Sequence, residues 1–394
     1  MNARPVSKFE AILLSVLFVG AICLPVARQL LFGHDPDMVL VEYRDPTPLP
    51  QLSFQHLKYL KQFPQEFEAY YNDNFGFRPA LLRMASAIKV HVLGISAART
   101  VIIGKNNWLF LKDDYTYKKS TRLIDEDLDH WTRKYEERRQ WLAGRGIKYM
   151  YIMAPNKQSI YPELMPSTFN HTEIEPPYDQ VKSYLAAHST FRLFPMREAL
   201  LDAKRDSKYL LYYPEDTHWN SVGAYAGYRA VILEMQKWYP DLKPLEPGYF
   251  RVETQEKHGD LARMTGVPNY VGMEPEMVPV KPAGLKQTSF KLPGIDHPVG
   301  TEPFTTENPN APSKLNVFIL RDSFGTSFVP FFSEQFAKVT SIWSTQGNKP
   351  FEQALAKFIE EDKPDVFIEE RTERVLLGQA PLIGTQFDLK QLQQ

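Results

Sequence analysis

The sequence holds a single cysteine, Cys23. A lone thiol excludes internal disulfides and cysteine-rich metal sites, and it leaves serine as the favoured nucleophile if the chain carries one. Charge of one sign is missing as well. The 46 Lys and Arg residues nearly balance 47 Asp and Glu, a formal net charge of −1, which argues against a nucleic-acid partner. No internal repeat is present. What remains is ordinary globular usage, 43% hydrophobic and 24% charged over 394 residues, enough to bury a sizeable core in one large or two modest domains.

Compartment is written at the N-terminus. Arg4 and Lys8 precede an apolar run from Ala11 to Ala27, followed by Arg28 and then His34, Asp35 and Asp37. Such a run is just long enough to span a hydrocarbon core, and the positive charge ahead of it predicts a cytoplasmic tip and an exported body. No small-x-small cleavage site follows, and Ile22 beside Cys23 makes a poor lipobox, so an uncleaved anchor is preferred to a cleaved signal peptide. The expected organisation is a tip and transmembrane anchor over 1–32, a tether over 33–53 punctuated by Pro36, Pro46, Pro48 and Pro50, and a catalytic domain over 54–394.

Along that domain, Leu57, Leu60, Phe63, Phe67 and Tyr70 fall at helical spacing, with Pro64 expected to divide the segment into two short helices. Another helix is expected from Pro79 to Val92. Val101 to Ile103 and Trp108 to Leu111 read as a hairpin. A charged helix over 125–145 precedes a buried strand over 147–153, which ends in the polar loop Ala154-Pro155-Asn156-Lys157. Further strands are expected at 191–194 and 209–212, then a helix over 221–239 capped by Asn220 or Ser221. The stretch 268–312 is rich in proline and reads as an irregular insertion that rims a site or carries a small hairpin. Strands over 315–320, 339–344 and 364–370, with a helix over 351–361, complete an α/β rhythm. In such sheets the crevice lies beyond the carboxyl ends of the strands, so Asn156 and Lys157 are candidates to face it.

Two short motifs carry chemistry. Asp216 stands two residues before His218, in a loop leading into a helix. An aspartate that orients an imidazole is two thirds of a nucleophilic triad, and Ser323, at the expected end of a strand with Gly325 close behind, supplies the missing hydroxyl. Ser323 is the candidate nucleophile, His218 the general base and then acid, and Asp216 the group that fixes the tautomer. Competing readings exist: Ser323 as a helix cap, Trp219 as core, Glu370, Arg371 and Arg374 as a structural ion pair. No third His or carboxylate has convincing ligand spacing with Asp216 and His218, so no metal is expected, and no cofactor is called for.

These residues resemble a known family. Asp216-Thr217-His218-Trp219-Asn220 with Gly223-Ala224, and later Asp322-Ser323-Phe324, are similar to the alginate O-acetyltransferase (AlgJ/AlgX-like) group of SGNH-hydrolase-like proteins. Asn72 to Arg78, Gly104 to Phe110, Pro155-Asn156-Lys157 with Tyr161-Pro162-Glu163, and Pro364 through Arg374 extend the resemblance over roughly residues 54 to 375. It implies a three-layer α/β sandwich around a mostly parallel central sheet, in a circularly permuted order that puts the Asp-x-His block before the serine. It further implies acetylation of an exported polysaccharide, alginate-like or another cell-envelope glycan, through an acetyl-Ser323 intermediate. Members act in the periplasm, commonly on acetyl groups supplied by a membrane-bound O-acyltransferase. That implies an inner-membrane, single-pass protein with its catalytic domain in the periplasm, or a periplasmic one after signal cleavage. Two departures stand out. Arg321 occupies the Gly of the superfamily's usual Gly-Asp-Ser, and Glu370-Arg371-Thr372 stands where its oxyanion-hole Asn is often found. With the Ser323 amide as one donor, Arg321, Asn156 and Arg371 are candidates for the second, and Lys157 and Trp219 for substrate contact. A carbohydrate acetylesterase with the same triad and a non-catalytic polysaccharide-binding or assembly protein are the alternatives.

Overall fold

A computed structural model describes residues 7–32, 47–50, 57–114, 122–169, 175–266, 272–281, 283–344 and 349–378. The chain divides into two compact units, residues 1–99 with 262–269, and residues 100–261 with 270–394.

The first unit is helical. Helix α1, Lys8–Phe32, is apolar on all sides, and its stretch Lys8–Gln29, with a mean hydropathy of 2.3 and none of it buried, is long and apolar enough to cross a membrane. Most of the expected tether lies outside the described residues. Its last part is pinned: Thr47 donates through its backbone N–H and hydroxyl to Asp73, at 3.0 and 2.5 Å. Helix α2, Leu57–Asn74, corrects the expectation at Pro64, since it runs through the proline without dividing. One N–H is lost there, while Phe63, Phe67 and Tyr70 pack in succession along one face, with ring centroids 5.8 and 6.1 Å apart, contacts that favour the continuous helix. Helix α3, Arg78–Ala87, follows and ends in a π-helical turn over Ile88–Val92.

The second unit is built on a six-stranded sheet. After the hairpin β1, Val101–Ile103, and β2, Leu109–Leu111, come helix α4, Asp125–Ala143, and strand β3, Lys148–Ala154. Helices α5, Pro177–His188, α6, Met196–Asp206, and α7, Ser221–Met235, follow. Strands β4, Phe250–Lys257, and β5, Gly272–Pro279, form a separate antiparallel ribbon. The chain then adds β6, Lys286–Ser289, β7, Phe304–Glu307, β8, Ser313–Arg321, helix α8, Gly325–Gln335, β9, Phe336–Trp343, helix α9, Lys349–Asp362, and β10, Val366–Thr372. The sheet order is β3-β10-β8-β9-β7-β6, parallel from β3 through β9 and antiparallel at β7 and β6.

Alternation along the strands makes three layers. Val317 and Ile319 face a core containing Met196, Tyr228, Val231 and Phe332, from α6, α7 and α8. Phe318 and Leu320 face the opposite core with Tyr135, Leu185 and Leu355, from α4, α5 and α9. The fold is therefore the expected three-layer α/β sandwich with a mostly parallel sheet.

Two expectations need correction. Residues 191–194 and 209–212 are not strands. Each makes one isolated bridge, Phe194 with Ile152 and Tyr212 with Trp219, because Pro195 and Pro214 supply no N–H with which to continue a ladder. The stretch 268–312 does carry a small hairpin, β6 with β7, but it is more regular than expected: the hairpin extends the main sheet and β5 completes the ribbon.

Beneath the sheet lies a buried ion cluster. Arg138 of α4 bonds Glu369 of β10 and, at 3.2 Å, Glu352 of α9, with both Arg138 and Glu369 almost fully buried. Tyr149 donates to Glu369 at 2.8 Å. Removing one member strands the others in a dry site. Arg138→Met is expected to lower unfolding free energy by about 3–5 kcal/mol, read as the shift in a urea denaturation midpoint.

Candidate active site

Strands β3, β10 and β8 are neighbours and parallel, so their carboxyl ends leave the sheet at one edge. Everything proposed for chemistry gathers there. Ser323 follows β8 by two residues and precedes α8 by two, half-buried, with its carbonyl accepting from the Thr326 N–H at 3.2 Å. Its neighbours are tied down. The Asp322 carboxylate accepts from the Phe324 N–H at 2.9 Å, and from the Thr372 N–H and hydroxyl at 2.7 and 2.5 Å, so one side chain joins the ends of β8 and β10. Gly325 is required by close approach, since a Cβ there would stand 2.4 Å from the Arg321 side chain.

The Asp216–His218 loop is delivered without a strand. Asn220 caps α7, its side chain accepting from the Gly223 N–H at 3.0 Å, and Gly223 itself is forced, because a Cβ would meet the Leu211 carbonyl at 2.1 Å. Lys157, fully buried just beyond β3, donates to the carbonyls of Tyr213, Pro214 and Asp216 at 3.0, 3.0 and 2.7 Å. Burial pulls its amine down to about 7, yet three acceptors match the three N–H bonds of an ammonium, one more than a neutral amine carries. Lys157 thus holds the loop from below, which places its ammonium on backbone oxygens.

Within the loop, Asp216 Oδ1 accepts from the His218 backbone N–H at 2.9 Å and from its Nδ1 at 2.6 Å, while Oδ2 accepts from the Asp260 N–H at 3.0 Å. Burial alone would raise this carboxyl, but the imidazole's hydrogen bond and charge, with the two backbone N–H donors, bring it far below the usual carboxylate range. His218 Nε2 is buried and has no hydrogen-bond partner among the described residues. The ring lies 4.8 Å from the ring of Phe324, the residue after Ser323. Trp219 clamps the same place from the core side: it is fully buried and donates through Nε1 to the Phe324 carbonyl at 2.9 Å.

The remaining candidates sit on the same rim with their own partners. Arg321 bonds Ser341, the Asp322 carbonyl and Thr326 at 2.8, 3.1 and 3.2 Å. Arg371 bonds Ser344 and Glu369. Asn156 is buried, its backbone N–H on Glu373 at 2.9 Å, while its side-chain oxygen has no partner among the described residues. Arg374 stacks over Phe324 at 5.4 Å. Glu370, behind the serine loop, is pushed well above the usual range by burial and then by Asp322; a neutral acid there lets the Asp322 N–H be accepted without a second negative charge.

Sequence reasoning missed Asp260. It brings a third ionisable group to Asp216 and His218, with ligand atoms within 4.8 Å of one another. Its carboxylate accepts from Thr217 N and Oγ1 at 2.8 and 2.6 Å, so the three groups form one hydrogen-bonded cluster. The only signal in the chain was Gly259 directly before it.

The family described as SGNH hydrolase-like domain, acetyltransferase AlgX, matches residues 101–297. No curated protein matches the chain. Among solved structures it is similar to PatB1 of Bacillus cereus, at 14% identity and a TM-score of 0.52, over 71% of this chain and 97% of that one. It is also similar to the O-acetyltransferase domain of Pseudomonas putida AlgJ, at 16% identity and a TM-score of 0.47, over 75% and 97%. The PatB1 likeness is one of fold.

Glu274 of β5 gives a pH test of the site's wall. Burial, with Glu215 and Asp216 nearby, lifts its carboxyl from 4.5 to about 7. Between those values the native protein keeps a proton that the unfolded chain has lost, so stability falls as pH rises through that window. Glu274→Gln is expected to melt at a higher temperature than the parent above pH 7 and with little difference below pH 4.5, read from thermal melts at the two extremes.

Proposed function

Because this chain belongs to the family of SGNH hydrolase-like domains of the acetyltransferase AlgX type, we propose that it is an O-acetyltransferase acting on an exported polysaccharide through an acetyl-Ser323 intermediate. The observation that carries the reading is the His218 ring. Its Nδ1 is held by Asp216 at 2.6 Å while its Nε2 stands unpartnered beside the serine loop. With Nδ1–H directed at a carboxylate, Nε2 is the bare acceptor that a general base needs.

In the first half-reaction Ser323 Oγ attacks the carbonyl carbon of an acetyl ester, and its proton passes to His218 Nε2. Asp216 stabilises the imidazolium. Collapse of the tetrahedral intermediate breaks the bond to the donor oxygen, which leaves with the proton from Nε2. In the second half-reaction a glycan hydroxyl gives its proton to Nε2 and attacks the acetyl carbon, and Ser323 departs and recovers that proton. The developing oxyanion needs two donors. The Ser323 backbone N–H is one, and Asn156, buried at the adjacent strand end, is the candidate for the other through its Nδ2–H. Arg321 and Arg371 are bonded within the fold.

Helix α1 is apolar and long enough to anchor the body to a membrane. On this reading the protein sits at the inner membrane with its sheet-bearing unit in the periplasm, where a membrane-bound O-acyltransferase supplies the acetyl group. Cleavage of the helix as a signal peptide would leave the same body periplasmic.

The protein is tested with a chromogenic acetyl ester, with and without candidate glycans. Ser323→Ala is expected to lose on the order of 1,000-fold or more in kcat, and acetylated glycan, read by mass spectrometry, marks transfer. Acetate release with no glycan product assigns an esterase instead, and full activity in Ser323→Ala removes the serine from the mechanism.

A further inference from the structure

We infer that Asp260 is a positioning residue for the His218 base, a second carboxylate that latches the Asp216–His218 loop. The inference rests on the acetyl-serine reading and names a residue outside the expected triad.

Three contacts define the latch. The Asp260 backbone N–H donates to Asp216 Oδ2 at 3.0 Å, filling the oxygen that His218 Nδ1 does not use. Its carboxylate accepts from Thr217 N and Oγ1 at 2.8 and 2.6 Å, and that same hydroxyl lies 3.2 Å from His218 Nδ1. Asp260 Oδ2 is itself 3.7 Å from Nδ1. The imidazole edge is thus enclosed by Asp216, Thr217 and Asp260.

The approach is built into the chain. A Cβ on Gly259 would stand 2.0 Å from the Glu215 carbonyl oxygen and 3.0 Å from the Asp216 nitrogen, so only glycine lets this segment lie against the loop. One consequence follows for a ring that must pick up a proton at Nε2 in each half-reaction. Asp216 cannot rotate its carboxylate away from Nδ1 without giving up the Asp260 N–H, so the tautomer is held. The other charged groups around the loop are Lys157, whose ammonium sits on the Tyr213, Pro214 and Asp216 carbonyls, Glu274 and Glu215 on the ribbon side, and Arg374 over Phe324. Of these carboxylates, Asp216 and Asp260 are the two within ion-pair distance of Nδ1 among the described residues.

The test uses the full chain with Asp260→Ala and Asp260→Asn, turnover of an acetyl ester across pH, and proton NMR of the low-field imidazole N–H. Asp260→Ala is expected to lose roughly 10- to 100-fold in kcat with KM little changed. Asp260→Asn keeps an acceptor for the Thr217 N–H without the charge. It is expected to recover part of that loss, again in kcat and not in KM. The low-field resonance, measured in a Ser323→Ala background so that it does not depend on turnover, is expected to broaden or move upfield in Asp260→Ala. If Asp260→Ala lacks a cooperative melt, Asp260→Asn carries the test alone. Parental kcat and resonance in the Asp260 variants, alongside an inactive Ser323→Ala, overturn the positioning role and leave the acetyl-serine reading standing. An active Ser323→Ala overturns that reading, and the catalytic role of Asp260 with it.

Discussion

Parallel pairing of β10 with both β3 and β8 is the constraint on which the site depends. The register runs without a break from Val366 to Thr372 against β3, and from Val366 to Glu369 against β8. Parallel strands must send their chains out at the same edge, so Lys157, Thr372 and Ser323, far apart in sequence, emerge side by side. The Asp322 carboxylate then binds the end of one strand to the end of the next. Without that pairing the serine loop would be an ordinary strand-to-helix turn.

Polar groups buried at this edge are arranged so that each charge has a defined role. Lys157 is enclosed and sits on three carbonyl oxygens, a use of charge that rigidifies a loop containing no regular hydrogen-bonded strand. Asp216 is saturated by donors and stays ionised, whereas Glu370 is held neutral by burial and the neighbouring Asp322. The contrast follows from donor count: a carboxylate that accepts three N–H bonds keeps its charge in a dry site, and one that accepts a single long bond does not.

Much of the architecture was legible in the chain. Apolar strands flanked by amphipathic helices, the Asn220 cap and the serine placed just beyond β8 could all be read locally, because each depends on residues within a turn or two of one another. Pro64 misled, since aromatic contacts along α2 favour a continuous helix there despite the proline. Residues 191–194 and 209–212 misled for the opposite reason: they have strand-like composition but make only one bridge each. The insertion over 268–312 hid β6 and β7, whose short polar sequences acquire strand character only by adding to the edge made by β9.

The sequence by itself determined the inventory of chemistry: one cysteine too few for a disulfide, an apolar N-terminal helix, an Asp-x-His loop and a serine at a strand end. Local pattern suffices for these because they are statements about residue type and near neighbours. Tertiary structure alone decided which groups meet. Lys157 was expected at a crevice and proves to be the support beneath the Asp216 loop. Asp260, with no motif of its own beyond the glycine before it, reaches the histidine because Gly259 admits a backbone approach that any side chain would block. Hydrogen bonds between residues more than forty positions apart leave no periodicity in a chain, and only its folding brings them within reach.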